Sequence, residues 1–141
     1  MKSFITHSKE ETVLLSHRLA LKVKSHDVIF YKGGLGMGKT AFTQGLCQGL
    51  GIDAFVTSPT FAIVNEYIGK PLSLYHFDMY RIENEEQLYN IGFYDYLDYQ
   101  GVLAIEWSEN ISDFFKDYNI LVSFEKIDEN TRKITIDGVD L

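Results

Sequence analysis

The sequence predicts a single α/β domain, residues 1–141, built on a mixed sheet with parallel core strands, antiparallel flanking strands and helices on both faces. Two runs, Val28-Ile29-Phe30-Tyr31 and Val102 to Glu106, are short and almost wholly apolar, as strands buried on both faces are. Helical patterns alternate with strand patterns through the middle of the chain, which favours parallel pairing. Near the end, Ile120 to Phe124 and Ile134 to Ile136 succeed one another with no helical pattern between them, so neighbouring strands close the sheet.

From the N-terminus, Ser8-Lys9-Glu10-Glu11 has capping-box spacing, and Val13, Leu14, Leu15, Leu19 and Leu21 continue as an amphipathic helix expected to end near Ser25. After the first buried strand comes a glycine-rich turn, then a helix from Lys39 to Leu50 stopped by Gly51. Phe55-Val56-Thr57 reads as a short strand, Ser58-Pro59-Thr60 as a turn, and Phe61 to Tyr67 as a further strand. Leu72 to Tyr80 reads as a long strand, and Glu83 to Ile91 as a short acidic helix.

Composition narrows the function. Hydrophobic residues make up 45% of the 141 and aromatics 14%, enough apolar surface to offset the entropy of ordering one core. Thirteen basic against twenty acidic residues leave a net charge of −7, which argues against gripping nucleic acid by bulk charge. The single cysteine, Cys47, has no disulfide partner within the chain and is expected as a small buried residue in a reducing compartment. The N-terminus lacks a signal peptide's apolar stretch and no run of ~20 apolar residues occurs, so a cytoplasmic protein without a membrane segment is expected.

Gly33-Gly34-Leu35-Gly36-Met37-Gly38-Lys39-Thr40 fits the Walker A pattern, which makes the predicted fold P-loop NTPase-like. Glycines let backbone N–H groups converge on phosphate oxygens, and the next helix turns its positive N-terminal end toward the same anion. Lys39 would neutralise the terminal phosphates and the Thr40 hydroxyl would ligate Mg²⁺. A metal-binding acid is expected at the end of an adjacent buried strand, and Glu106 closes such a strand. Two roles are open to it: contact with Mg²⁺ through water, or orientation of the attacking water. Thr60, in Ser58-Pro59-Thr60-Phe61, carries the hydroxyl of a γ-phosphate-sensing switch, with a simple turn as the competing reading. His76, Asp78 and Tyr80 alternate along one strand and so share a face, where a polar pair is costly to bury without partners. A catalytic or metal-supporting role for His76 and Asp78 competes there with a structural hydrogen-bond pair. His7, His17 and His26 are expected at the surface or in packing. Phe93, Tyr94, Tyr96 and Tyr99 are interleaved with Asp95 and Asp98, which suits core packing or a protein interface better than RNA stacking.

Taken together, Gly33 to Thr40, Ser58 to Phe61, Asn65-Glu66-Tyr67, His76 to Arg81 and Ile105-Glu106-Trp107 resemble the TsaE (YjeE) family of bacterial P-loop ATPases of tRNA threonylcarbamoyladenosine biosynthesis. The resemblance covers nearly the whole chain. It implies an Mg²⁺-dependent ATPase, weak alone, that works with the TsaB and TsaD proteins on ANN-decoding tRNAs and meets tRNA only through that complex. It implies nucleotide contacts from Gly33, Gly34, Leu35, Gly36, Met37, Gly38, Lys39, Thr40 and Ala41, a metal site at Thr40 and Glu106, and catalytic roles for Glu106, Asp78 and Lys39. It also sets Ser8 and Thr12 near the nucleotide base and Trp107 beside the site. Gly34 stands where many relatives carry an acid, and Ala41 where many carry a second threonine, so weaker nucleotide binding is expected. Any longer C-terminal tail of relatives is expected to be absent after Leu141.

The main rival is a stand-alone small-molecule kinase, which would clamp the transferring phosphoryl group with several arginines. Only Arg18, Arg81 and Arg132 are present. A GTPase is disfavoured because no Asn-Lys-x-Asp run occurs, and a non-catalytic ATP-binding scaffold shares most of the same residues.

Overall fold

The computed structural model describes residues 1–34, 36–59, 63–106 and 115–141. Leu35, Thr60, Phe61 and Trp107 lie outside the described residues. In chain order the elements are β1 (Lys2–Thr6), α1 (Lys9–Ala20), β2 (Val28–Lys32), α2 (Lys39–Gly49), β3 (Val64–Tyr67), β4 (Ser73–Asp78), α3 (Glu85–Asn90), α4 (Phe93–Tyr96), β5 (Gly101–Glu106), β6 (Ile120–Lys126) and β7 (Arg132–Asp137).

The strands form one sheet in the order β1-β7-β6-β2-β5-β4-β3. The four central strands, β6, β2, β5 and β4, run parallel. The flanking pairs β1/β7, β6/β7 and β3/β4 are antiparallel, so the sheet is mixed as the sequence predicts. Side chains alternate between faces. Ile29, Tyr31, Ala104 and Val122 pack with Leu19, Phe42, Leu46 and Cys47 of α1 and α2 on one face. Phe30, Phe77, Leu103 and Ile105 pack with Leu88 and Phe93 of α3 and α4 on the other. Cys47 is fully buried, and burial pushes its thiol up to about 12.

Helix boundaries obey their caps. Ser8 caps α1 by accepting from Glu11 N–H at 3.1 Å, while Glu11 reaches back to His7 N–H at 3.2 Å. The helix ends at Ala20, earlier than the expected Ser25, because the chain turns: Asp27 accepts Lys24 N–H at 2.8 Å and His26 adopts φ 75°. That turn delivers β2 into the sheet. Helix α3 starts at Glu85 because Asn84 caps it, accepting from Gln87 N–H at 2.9 Å.

The expected strand at Phe55 to Thr57 does not form. Its backbone groups are satisfied by side chains instead: Val56 N–H donates to Gln44 and Thr57 N–H to the Tyr67 hydroxyl. The described part of the next expected strand is Val64–Tyr67. The long strand stops at Asp78, whose carboxylate accepts Tyr80 N–H at 3.0 Å, so Tyr80 leaves the His76/Asp78 face and is exposed. Strand β1 and helix α4 have no counterpart in the sequence pattern. His7 and His26 are exposed and His17 is half-buried.

Helices α1 and α2 approach closely at Gly45, where an added Cβ would collide with Ser16 Oγ and the Val13 carbonyl. Gly45→Ala would gain about 1 kcal/mol in helix propensity. The overpacking against backbone costs about 1–3 kcal/mol. The net expectation is a destabilised protein, seen as a lower urea midpoint at unchanged m-value.

Candidate functional site

The parallel strands all end at one edge of the sheet, and the site is assembled from the segments that leave those ends. After β2 comes the loop of residues 33–38. Gly33 packs so tightly that a Cβ would lie 3.0 Å from the Phe124 carbonyl, and Gly38, at φ 95°, turns the chain into α2. Helix α2 begins with no side-chain cap and no acid in its first turn, leaving its leading N–H groups free of competition for an anion.

Lys39 folds back over this loop. Its Nζ donates to the Gly33 carbonyl at 3.1 Å and pairs with Glu106 Oε1 at 3.1 Å. The other carboxylate oxygen, Oε2, lies 3.2 Å from His76 Nε2. The His76 ring is off the hydrogen-bond line, so this is an ion-pair distance without hydrogen-bond alignment. Burial pushes the Glu106 carboxyl up, but His76 and Lys39 outweigh it and hold the group below the usual carboxylate range. Asp78 stands level with Glu106 on the neighbouring strand.

The cluster has a rigid support. Tyr31, level with Glu106 on β2, is fully buried. Its hydroxyl lies 2.8 Å from Thr43 Oγ1, and Thr43 in turn donates to the Lys39 carbonyl at 2.9 Å. With Thr43's only hydroxyl proton so used, the Tyr31 hydroxyl donates. Burial raises the Tyr31 phenol far above its ordinary range, so it stays neutral.

A cavity of about 460 Å³ opens in front of Lys39 and Glu106. That lies within the ~300–1,000 Å³ usual for small-molecule sites. Gly36, Met37, Gly38, Thr40 and Ala41 form its floor, and Ser8, Lys9 and Thr12 of α1 one wall. Ser58 and the β6–β7 turn, through Glu129, Asn130 and Arg132, complete it. Gly33, Gly34 and Asp78 are not on the cavity wall as described. Thr12 is fixed by a buried hydroxyl pair with Thr6 at 2.8 Å.

Sequence reasoning does not single out Arg132 for the site. It donates to the Gly36 carbonyl at 3.1 Å and to the Asp128 carbonyl at 2.8 Å, tying the β6–β7 turn to the loop. Hydrogen bonds from Thr131 and Asn130 stiffen that turn and hold the Asp128 carboxyl below its usual range. The only sequence signal is the short polar stretch between two strand patterns, and pairing β6 parallel to β2 is what brings it here. Arg18 lies against the Phe4 ring, with 5.4 Å to the centroid, and Arg81 is exposed. Among the described residues no clamp of several arginines is assembled.

The donors suit Mg²⁺ held jointly with a phosphate ligand. Among the described residues no group of three or more His, Cys, Asp or Glu side chains converges as a metal cage. Thr40 offers a hydroxyl and Glu106 a carboxylate at the same cavity. Mg²⁺ is commonly held by one or two protein ligands with substrate phosphates and water.

Fold and loop together define a P-loop α/β protein. Residues 6–134 match the family model described as threonylcarbamoyl adenosine biosynthesis protein TsaE, and the chain belongs to the TsaE family. Among its relatives is the tRNA threonylcarbamoyladenosine biosynthesis protein TsaE of Bacillus subtilis, 37% identical over 134 residues, covering 95% of this chain and 84% of the relative. The protein of the same description from Aquifex aeolicus is 36% identical over 138 residues, covering 96% of each. The crystal structure of Bacillus subtilis YdiB superposes with a TM-score of 0.81 at 32% identity, covering 99% of this chain and 86% of that one. Among the described residues no helix is long and apolar enough to cross a membrane.

If the loop of residues 33–38 holds a nucleotide's phosphates, Lys39→Ala removes a charge-assisted contact worth about 1.5–3 kcal/mol. Nucleotide affinity is expected to fall roughly 10- to 100-fold. Thr40→Ala is expected to lose the Mg²⁺-dependent part of affinity while keeping the Mg²⁺-free part. Calorimetric titration of ATP with and without Mg²⁺ checks both.

Proposed function

We propose that this chain is the ATP-hydrolysing subunit of the tRNA threonylcarbamoyladenosine machinery, a cytoplasmic Mg²⁺-dependent ATPase, weak alone, that sustains repeated turnover of a TsaB–TsaD complex acting on ANN-decoding tRNAs. The observation that carries the reading is the pairing of the P-loop lysine with the strand-end carboxylate of Glu106 at the mouth of a nucleotide-sized cavity. Family membership supports the pathway and the partners.

The nucleotide phosphates lie on the loop and the first turn of α2, and Lys39 exchanges its bond to Glu106 for a phosphate oxygen. Glycine N–H groups and the helix terminus hold the remaining charge. The Thr40 hydroxyl and the Glu106 carboxylate would hold Mg²⁺, which would supply positive charge against the charge developing on the phosphates. Ser8 and Thr12 border the base end of the cavity, and Thr60 serves as the γ-phosphate sensor. Asp78, beside Glu106, supports orientation of the attacking water. The water oxygen bonds to the γ-phosphorus as the bond to the β–γ bridging oxygen breaks; that electron pair leaves with ADP, and the protons of the water pass to the released phosphate and to solvent. With net charge −7 on the chain, tRNA is met through the partners rather than gripped directly.

Glu106→Ala is expected to retain nucleotide and lose turnover by about a hundredfold or more, as deletion of a transition-state electrostatic contact does. Asp78→Asn is expected to lower hydrolysis at unchanged binding. The decisive assay compares phosphate release by the protein alone and with TsaB, TsaD and tRNA. Low activity that rises with the partners and vanishes in Glu106→Ala supports the reading. Activity indifferent to the partners but raised by a small-molecule acceptor points to the kinase instead, and multiple-turnover tRNA modification without this chain overturns the proposed role.

A further inference from the structure

The geometry points to His76 as the positioning residue for Glu106: it holds one carboxylate oxygen in place when Lys39 releases the other to the nucleotide. This inference rests on the ATPase reading above and adds to it the part that keeps the carboxylate oriented through the exchange.

His76 lies two residue pairs deeper in the sheet than Glu106, on the same face and level with Ala104 on β5. Ala104 sets only a methyl group beside the imidazole in that row. The histidine is 1% exposed, and its ring lies against that of Tyr31 with 5.8 Å between centroids. Tyr31 is anchored through Thr43 to the backbone of Lys39, so the His76 ring rests on the same support that carries the P-loop lysine.

Two features make a merely structural account insufficient. Neither ring nitrogen of His76 has an aligned hydrogen-bond partner among the described residues, although both are buried. A buried polar group left so is costly, and an apolar residue of similar size would avoid that cost. Yet the Nε2 atom already stands 3.2 Å from Glu106 Oε2, the distance of a formed bond. The terminal torsion of the ring is broad, so turning the ring toward Oε2 carries little rotamer cost. Bonds of this kind tighten when the ligand arrives.

The division of labour comes from the two oxygens. Oε1 stands with Lys39 and Oε2 with His76. When Lys39 moves to phosphate, Oε1 is freed toward the cavity that Thr40 also lines. Without His76 the carboxylate would then have no fixed partner and would sample orientations that do not serve the metal. The histidine acts through Glu106 and makes no contact with nucleotide.

The test uses the full chain with His76→Leu and His76→Gln, since glutamine keeps an N–H donor at similar reach and leucine does not. Expected for His76→Leu is Mg²⁺-free ATP affinity within about twofold of wild type, with kcat at least tenfold lower and the half-saturating Mg²⁺ concentration at least tenfold higher; His76→Gln restores most of both. An unchanged kcat and Mg²⁺ requirement in a folded His76→Leu protein overturns the inference while leaving the ATPase reading intact. Equal losses of Mg²⁺-free affinity and thermal stability in both variants, without rescue by Gln, also overturn it and return the residue to packing. Wild-type protein that hydrolyses no ATP, alone or with partners, overturns the ATPase reading and this inference with it. If His76→Leu does not fold, the contrast is read from His76→Gln against His76→Asn, whose shorter amide does not reach Oε2; equal kinetics for that pair overturn the inference.

Discussion

Glu106 offers one oxygen to Lys39 and the other to His76, and this divided carboxylate ties together the P-loop, the central sheet and helix α2. A carboxylate so shielded from water would be forced toward its neutral form if left alone. The Lys39 and His76 contacts reverse that, so the buried acid remains charged. The same contact with Glu106 gives Lys39 a counter-charge beside the cavity. The charges of Lys39 and Glu106 therefore balance each other, and under the proposed function an incoming phosphate takes over the role the carboxylate plays for Lys39.

The sheet explains why these groups meet. Strands β6, β2, β5 and β4 run in one direction, and β1 reaches the same direction through two antiparallel steps across β7. Every segment that leaves the carboxyl end of one of these strands thus arrives at one edge. The P-loop leaves β2, Glu106 ends β5, and Asp78 ends β4. The turn bearing Glu129 and Asn130 leaves β6, and the capped start of α1 leaves β1. Residues distant in sequence, from Ser8 to Arg132, line one cavity for this reason.

Where local pattern and tertiary demand agree, the chain is legible directly. The apolar runs of β2 and β5 need burial on both faces, and the glycines between β2 and α2 supply the positive-φ turn that leads one into the other; both are evident from residue type alone. The features that escape such reading depend on partners far along the chain. Strand β1 is short and mostly exposed, and exists because β7 pairs with it. Phe55 to Thr57 has strand-forming side chains, yet Gln44 and the Tyr67 hydroxyl take the backbone groups a neighbouring strand would need. Arg132 reaches Gly36 only because β6 lies beside β2. Pattern places His76 and Asp78 on one strand face, but their distance to Glu106 is set by the register of β4 against β5.

The proposed exchange, in which Lys39 gives up Glu106 for phosphate while Glu106 turns to the metal, is tested most directly by a crystal structure of the protein with Mg²⁺ and a non-hydrolysable ATP analogue. The expected result is Lys39 Nζ on a phosphate oxygen, its bond to Glu106 broken, and Glu106 facing Mg²⁺ with His76 still at its other oxygen. A nucleotide bound with the Lys39–Glu106 pair intact, or bound away from the loop of residues 33–38, would contradict it.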